Sequence, residues 1–263
     1  MNYSEKYGLD IMDIRTFICF SAKDRYCIAE PIVYHLKNYG IDVWYDRQRL
    51  LMGDDRIEKN LIEGVTKCKY AIIIVSKNTV ASKCAMEELN IIKKNYFLNS
   101  STVFPILYEI KPSEIPTELT WVKRLIFKEV TRDSGTYEVC NHIACKLTED
   151  ILKNCRYHTL NEIVSSNVLK NQEPINKLLC SYTEICNENL NGKITLLYTT
   201  FIFIETSINN NFDYFTLVKK IFLRIFNESK LNILVDYRDI WLLENAISIL
   251  LNFYIEYFID SRT

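Results

Sequence analysis

The run Tyr70-Ala-Ile-Ile-Ile-Val75 is the feature that most constrains how this chain can fold. It is unbroken, apolar and rich in β-branched residues, which is typical of a strand buried on both faces of a parallel sheet. A polar stretch follows, and behind Ser82 apolar residues recur at helical spacing. Serine is a favoured N-cap, so a helix is predicted to begin near Ser82. Glu88 then lies in an early turn of that helix, near the carboxyl end of the strand.

Strands and helices alternate along the first half of the chain. The predicted strands are Thr16–Phe20, Ile41–Asp46, Tyr70–Val75, Val103–Tyr108 and Leu125–Val130. Apolar stripes predict helices from Ile28, with Gly40 as the C-cap, from Ile57, and over Tyr137–Cys155. Such alternation predicts a mainly parallel α/β sheet with helices on both faces.

The second half of the chain has a different pattern, in which long apolar segments are separated by Asn- and Gly-containing breaks. The predicted helices are Leu178–Leu190, Ile194–Ile208, Tyr214–Phe226 and Ile240–Ile259. Abundant Tyr, Phe and Ile favour a packed helical bundle over a disordered tail. We therefore predict two domains, an α/β domain over residues 12–155 and an all-α domain of unassigned role over residues 156–263.

Composition excludes several classes of function. A net charge of −1 and a pI near 6.4 provide no basic field, so no nucleic-acid partner is expected. The N-terminal residues are polar and acidic, unlike a signal peptide, which predicts a cytoplasmic protein. Charged and amide residues interrupt the most apolar late stretch, so no membrane association is expected. The nine cysteines include no Cys-x-x-Cys pair, which favours reduced, mostly buried thiols.

One group of residues suggests a metal site. It consists of Cys140, His142, Cys145, Cys155 and His158. On a helix, at about 100° per residue, Cys140 and His142 point in opposite directions, and the spacing fits no standard zinc pattern. We therefore predict no metal ion.

Several segments of the first half are similar to those of a known family. Ser76-x-Asn78-x-x-x-Ser82-x-Cys84-x-x-x-Glu88-Leu89 resembles the signature of Toll/interleukin-1 receptor (TIR) domains of the NAD-cleaving kind, in which Trp stands at the position of Cys84. Phe17–Asp24 resembles the first TIR box, and the segment from Trp44 to Gly53 resembles the strand and loop used in self-association. The resemblance implies a flavodoxin-like, five-stranded sheet in the order 2-1-3-4-5.

The same resemblance implies site residues. Glu88 matches the family's catalytic glutamate, and its neighbour Glu87 is one residue out of frame. NAD⁺ would be the substrate, with no separate cofactor. The implied NAD-binding residues are Phe20, Ser21, Ala22, Lys23, Asp24, Trp44, Asp46, Ser82 and Cys84. Since ligands of open α/β sheets bind at the carboxyl ends of the strands, the loop 21–24 and Glu88 are predicted to face one crevice.

Each of these residues also has an ordinary structural interpretation. Glu88 can be a solvated residue near a helix N-terminus, and the loop 21–24 a simple turn. Trp44 can belong to the core, and Asp46 can cap the turn that follows it. Because cysteine is smaller than tryptophan, either Tyr45 or Trp44 supplies the missing aromatic face, or the pocket is altered.

Two functional hypotheses follow. In the first, Glu88 stabilises the ribose cation formed as nicotinamide leaves NAD⁺, which yields ADP-ribose or a cyclic isomer. Among relatives in antiphage systems of the Thoeris type, such a product activates a separate effector protein. In the second, the TIR domain is a non-catalytic adaptor that acts by assembling with other TIR domains. The presence of Glu88 in the catalytic position favours the enzyme hypothesis. The replacement of the family's Trp by Cys84 leaves the adaptor hypothesis as an alternative.

Overall fold

Five parallel strands form the sheet of the first half of the chain, in a computed structural model that describes residues 15–207, 216–231 and 234–259. The strands are β1 (Arg15–Cys19), β2 (Asp42–Trp44), β3 (Tyr70–Val75), β4 (Thr102–Tyr108) and β5 (Lys128–Val130). Their order is β2-β1-β3-β4-β5, and every neighbouring pair is parallel. The predicted α/β fold and strand order are confirmed.

The central strand is buried as its composition requires. All six residues of β3 are buried, and the strand pairs with β1 on one side and β4 on the other. The edge strands β2 and β5 are shorter than predicted. The chain leaves β2 for a helical turn, Asp46–Arg49, and Ile126, just before β5, is 95% exposed. Apolar composition alone overestimates the length of edge strands, which pair with a neighbour on one side only.

Helices cover the sheet between the strands. They are α1 (Glu30–Asn38), α2 (Ile57–Thr66), which has the wider π-helical turn, α3 (Lys83–Phe97) and α4 (Tyr137–Leu152). Ser82 caps α3 as predicted, since its side chain accepts a hydrogen bond from the amide of Ala85. Gly40 follows α1 with φ of +81°, the left-handed conformation expected of a C-cap glycine. A helical turn that the sequence did not predict, Lys77–Ala81, precedes α3 and is capped by Ser76.

The remainder of the chain is helical. Its helices are α5 (Leu160–Ser165), α6 (Glu173–Glu184), α7 (Leu190–Ser207), α8 (Thr216–Lys230) and α9 (Tyr237–Tyr254), and α9 continues as a wider turn, Ile255–Ile259. The predicted helix Leu178–Leu190 was wrong in its bounds, because Pro174 starts α6 earlier and Leu190 already begins α7. Helix α5 was missed. The predicted helix ends at Ile208 and Tyr214 lie outside the described residues.

Two compact units make up the chain. In the described part, one contains residues 15–37 and 41–143, and the other contains residues 38–40 and the chain from 144 onward. This division lies inside α4, whereas the predicted limits, 12–155 and 156–263, stay a prediction. One described helix, Tyr237–Ile259, is long and apolar enough to cross a membrane, and 67% of its most apolar window is buried inside the protein. A core helix of a bundle is buried in this way.

Helix α2 approaches the sheet at Gly64. A Cβ atom at this position would lie 2.7 Å from Nε1 of Trp44 and 3.1 Å from Cε2 of Phe17. Trp44 is the last residue of β2, and Phe17 lies in β1. The absence of a side chain at Gly64 therefore allows α2 to lie close to these two strands.

We predict that Gly64→Ala lowers the free energy of unfolding by about 1–3 kcal/mol, because two packed rings must move. Without the contact, alanine in a helix would raise stability by about 0.5–1 kcal/mol. Urea denaturation measures the difference. Ile62→Ala, on the exposed side of the same helix, is the control and should change stability by less than about 0.5 kcal/mol. A stabilising Gly64→Ala would contradict the close approach.

Candidate functional site

The loops after β1 and β3 are joined through Asp24. Its carboxylate accepts hydrogen bonds from Oγ of Ser76 at 2.5 Å and from Nδ2 of Asn78 at 2.6 Å. Asp24 is 2% exposed, and the Ser76 hydroxyl also caps the turn that follows β3. Asp24 of the first box is therefore hydrogen-bonded to both named residues of the Ser-x-Asn segment. These bonds hold the loop 21–24 at the carboxyl end of the sheet.

Glu88 lies on the buried side of α3. It is 9% exposed, and Oε1 accepts a hydrogen bond from Nδ2 of Asn60 at 2.6 Å. The thiol of Cys19, the last residue of β1, is a second neighbour of the carboxylate. The interpretation of Glu88 as a solvated surface residue is wrong, because α2 covers it.

Burial has a direct electrostatic consequence for this carboxyl. Removal from water raises the pKa of Glu88 to about 7, and the hydrogen bonds from Cys19 and Asn60 partly oppose the rise. Asp46 also raises the pKa and Arg56 lowers it. Catalytic sites often contain a buried carboxyl group that changes charge near neutral pH.

Asp46 forms the second charged feature of the site. Its carboxylate pairs in a bidentate manner with Arg25, at 2.6 and 2.7 Å, and Arg25 lies over the rings of Phe20 and Tyr45 at 5.1 and 5.5 Å. The hydroxyl of Tyr45 accepts from Arg25 and donates to Glu30. This arrangement fixes the loop after β2 against the loop after β1.

An open pocket of about 350 Å³ lies at this cluster. It is lined by Arg25, Tyr26, Asp46, Arg47 and Leu50. Asp46 thus does more than cap the turn that follows it. It anchors Arg25 at the edge of a pocket whose lining offers cationic and aromatic groups, a combination suited to an anionic, ring-containing ligand.

Trp44 packs between α2 and the short helical turn after β2. Its Nε1 faces Gly64, and the guanidinium of Arg49 lies 5.6 Å from the centre of the indole ring. The ring is partly buried. The structure therefore favours the core interpretation of Trp44.

The other predicted binding residues differ in exposure. Ser21 is buried, Phe20 and Ser82 are half-buried, and Ala22, Lys23 and Cys84 are exposed. Cys84 and Glu88 are four residues apart on α3, so both lie on one side of the helix. Tyr45 is 2% exposed and packs its ring against Phe20, so it does not provide a free aromatic face beside Cys84.

Three functional neighbours were missed from the sequence: Arg25, Arg56 and Asn60. Arg56 pairs with Glu87, and Asn60 with Glu88, so α2 supplies a partner to each of two successive carboxylates. Arg56, Asn60 and Gly64 are spaced by four residues, which places them on one face of α2. This four-residue spacing beside the apolar stripe of the helix was the sequence signal from which these polar neighbours could have been predicted.

The cysteine and histidine group forms no metal site in the described part of the chain. Within residues 15–207, 216–231 and 234–259, no three His, Cys, Asp or Glu side chains are placed to hold an ion. Cys140 donates to the carbonyl of Ile32, and a ring nitrogen of His158 bonds the carbonyl of Leu152.

The site retains polar atoms that the described part of the protein leaves without partners. They are buried Oδ1 of Asn60, Nε1 of Trp44 and Nη1 of Arg56. An amide oxygen, an indole N–H and a guanidinium N–H can pair with sugar hydroxyls and phosphates.

The strand order is that of a flavodoxin-like α/β domain, in which the loops after β1 and β3 are joined and the helix after β3 carries a buried carboxylate. In open α/β sheets, ligands bind at the carboxyl ends of the strands. Residues 16–138 match the TIR domain family, and this part of the chain is a TIR domain. The predicted resemblance to TIR domains is therefore confirmed for these residues.

Relatives of this domain carry names of NAD-cleaving enzymes. The chain is 30% identical to the NAD(+) hydrolase TcpC of Escherichia coli O6:H1, over 38% of this chain and 32% of the relative. It is 28% identical to the 2′ cyclic ADP-D-ribose synthase BtTIR of Bacteroides thetaiotaomicron, over 38% of this chain and 34% of the relative. The chain therefore spans about a third of the length of the curated relatives it matches.

A solved structure also resembles the first half of the chain. It is the TIR domain of the Toll-related receptor TRR-2 from Hydra magnipapillata, with 19% identity and a TM-score of 0.40. The alignment covers 52% of this chain and 96% of that domain.

We predict that Glu88→Gln stabilises the fold at pH 8. The pKa of Glu88 rises from 4.5 in the unfolded chain to about 7 in the fold, so the ionised carboxylate costs about 3 kcal/mol above pH 7, and the cost disappears below pH 4.5. Glutamine can still accept the Asn60 hydrogen bond. Urea denaturation at pH 8 and pH 4.5 should show a gain at the higher pH alone.

Glu87→Gln is the matched control. Glu87 is half-exposed and pairs with Arg56, so its neutralisation should produce no gain at pH 8. An equal gain for Glu88→Gln at both pH values would contradict the buried charge.

Proposed function

We propose that this protein cleaves the bond between nicotinamide and ribose in NAD⁺. The observation that carries the proposal is the buried carboxylate of Glu88, which accepts a hydrogen bond from the amide of Asn60. The match to TIR domains and the names of the relatives support NAD⁺ as the substrate.

The reaction requires no general acid for the leaving group. Nicotinamide departs as a neutral molecule with the bonding electrons, and positive charge develops on the ribose. Ionised Glu88 stabilises that charge at short range, where the surrounding protein excludes water and strengthens the interaction. Water then adds to the sugar carbon and releases one proton, which gives ADP-ribose, nicotinamide and H⁺.

The product is decided by the group that captures the ribose cation. Water gives ADP-ribose, and a hydroxyl or an adenine nitrogen of the same molecule gives a cyclic isomer. The relatives named as a hydrolase and as a cyclic ADP-ribose synthase represent the two outcomes. We propose that the product is a second messenger for a separate effector in antiphage defence, that the protein is cytoplasmic, and that it needs no cofactor.

We predict that Glu88→Ala abolishes nicotinamide release from NAD⁺, with a loss of at least about 100-fold in kcat. Liquid chromatography with mass spectrometry measures nicotinamide and identifies the nucleotide product. Glu118→Gln, an exposed glutamate of the same domain, is the control for charge and should retain activity.

Two results would overturn the assignment. Release that persists in Glu88→Ala would remove Glu88 from the mechanism. A wild-type protein that stays inactive at every protein concentration and under forced self-association would favour the alternative, a non-catalytic adaptor. The observation behind that alternative is that exposed Cys84 stands where the family has tryptophan.

The adaptor and the enzyme share one requirement, self-association of the TIR domain. The loop after β2 carries two of the most exposed apolar side chains of the described chain, Leu51 at 79% and Met52 at 105%. Exposed apolar side chains at a loop tip favour a contact with another protein surface. We propose that this loop contacts a second copy.

We predict that Met52→Glu weakens self-association, because it places a charge in an apolar contact. Sedimentation velocity over a range of concentrations measures the change, and the midpoint concentration should rise at least about tenfold. Tyr34→Glu, at an exposed position on α1, is the control. Unchanged sedimentation of Met52→Glu would place the contact elsewhere.

A further inference from the structure

We propose that Asn60 is the positioning residue of the site, which orients the Glu88 carboxylate and favours its ionised form. The inference rests on the proposed function for its link to turnover. It rests on the structure alone for the state of the carboxylate.

The contact is direct and buried. Asn60 is 5% exposed, and its Nδ2 lies 2.6 Å from Oε1 of Glu88, which is 9% exposed. The two residues belong to different helices, α2 and α3, so the hydrogen bond fixes the carboxylate relative to both. A carboxylate with this little freedom keeps one orientation toward the sugar that it must face.

The chemistry of the amide determines which form of Glu88 it favours. The NH₂ group is a donor and a carboxylate is an acceptor, so this hydrogen bond favours the ionised form. An amide also carries no charge of its own and cannot titrate. Asn60 thus stabilises the negative charge without neutralising it, which leaves the charge available for the ribose cation.

Other groups face Glu88 from the packed elements, and each is engaged elsewhere or weaker. Arg56 of α2 is paired with Glu87, and Asp46 after β2 is paired with Arg25. Cys19 of β1 is a weak donor, and burial and the neighbouring Glu88 raise the pKa of its thiol, so it stays neutral. Cys84 of α3 is exposed. Cys19 and Asn60 are therefore the two groups whose hydrogen bonds oppose the desolvation of Glu88, and the Asn60 amide, at 2.6 Å, is the stronger type of donor.

The structure provides an isosteric test. In Asn60→Asp the shape is kept, but two carboxyl groups would meet at hydrogen-bond distance, where one proton is shared and one pKa rises strongly. In Asn60→Ala the donor is removed without a new charge. Both variants should raise the pKa of Glu88, and Asn60→Asp should raise it further.

The first measurement is the pH profile of nicotinamide release from NAD⁺ by the full chain. Because ionised Glu88 is the active form, the acidic limb of kcat/KM reports its pKa in the free enzyme. We predict that the limb moves to higher pH by about one to two units in Asn60→Ala. From a starting pKa of about 7, this shift should lower activity at pH 7 by about five- to fiftyfold, and about half or more of the maximal activity should return at pH 9.

The second measurement does not depend on turnover. The ¹³C chemical shift of the Glu88 side-chain carboxyl, assigned by its loss in Glu88→Gln, is followed from pH 4 to pH 10. The midpoint should rise in Asn60→Ala and rise further in Asn60→Asp. Asn141→Ala is the matched control, because Asn141 is an equally buried asparagine of the same unit, on α4, and should leave the midpoint unchanged.

The outcomes separate the two proposals. A shifted carboxyl titration in a protein that never cleaves NAD⁺ would support Asn60 and overturn the proposed function. An unchanged titration, with activity reduced equally at every pH, would overturn the role of Asn60 and leave the NAD⁺ reaction intact. If Asn60→Ala fails to fold, Asn60→Asp preserves the volume and decides the question by the same titration.

Discussion

A carboxylate removed from water at the carboxyl end of a parallel sheet is the constraint on which the site depends. Burial of Glu88 opposes the ionisation of its carboxyl group. The proposed reaction needs the ionised form, because only a negative charge stabilises the ribose cation. The structure eases the conflict with two neutral donors, the thiol of Cys19 and the amide of Asn60. Asn60 lies on a helix that Gly64 allows to lie close to the sheet. Helix packing and carboxylate chemistry are therefore set by the same surface of α2.

Three carboxylates that follow β1, β2 and β3 in the chain have different partners. Asp24 accepts from a hydroxyl and an amide and joins two loops, whereas Asp46 takes a bidentate guanidinium and fixes a third loop. Glu88 has an amide and a thiol as neighbours. A full counter-charge would neutralise a carboxylate, so Asp46 is suited to structure and Glu88 to a developing positive charge.

Much of the fold could be predicted from local sequence patterns, because interactions between residues close in sequence produce those elements. The apolar run of β3 predicted its bounds, and Ser82 predicted the start of α3 through its own side-chain hydrogen bond. The partners of Asp24 and Glu88 could not be predicted in this way. The partners of Asp24 are 52 and 54 residues away in sequence and Asn60 is 28 residues from Glu88, so no local periodicity indicates these pairs. The ends of β2 and β5 were misjudged because edge strands pair on one side only.

The division of the chain has a consequence for genetic dissection. The chain passes from one unit to the other between residues 37 and 38, again between 40 and 41, and then inside α4, between 143 and 144. Gly40 packs against Leu217 of α8, within the second unit. A stop codon after α4 would remove the residues that contact Gly40. It would also divide the second unit, because residues 144–152 of α4 belong to that unit and would stay with the first. Halves of this protein that are expressed separately are not equivalent to its two units.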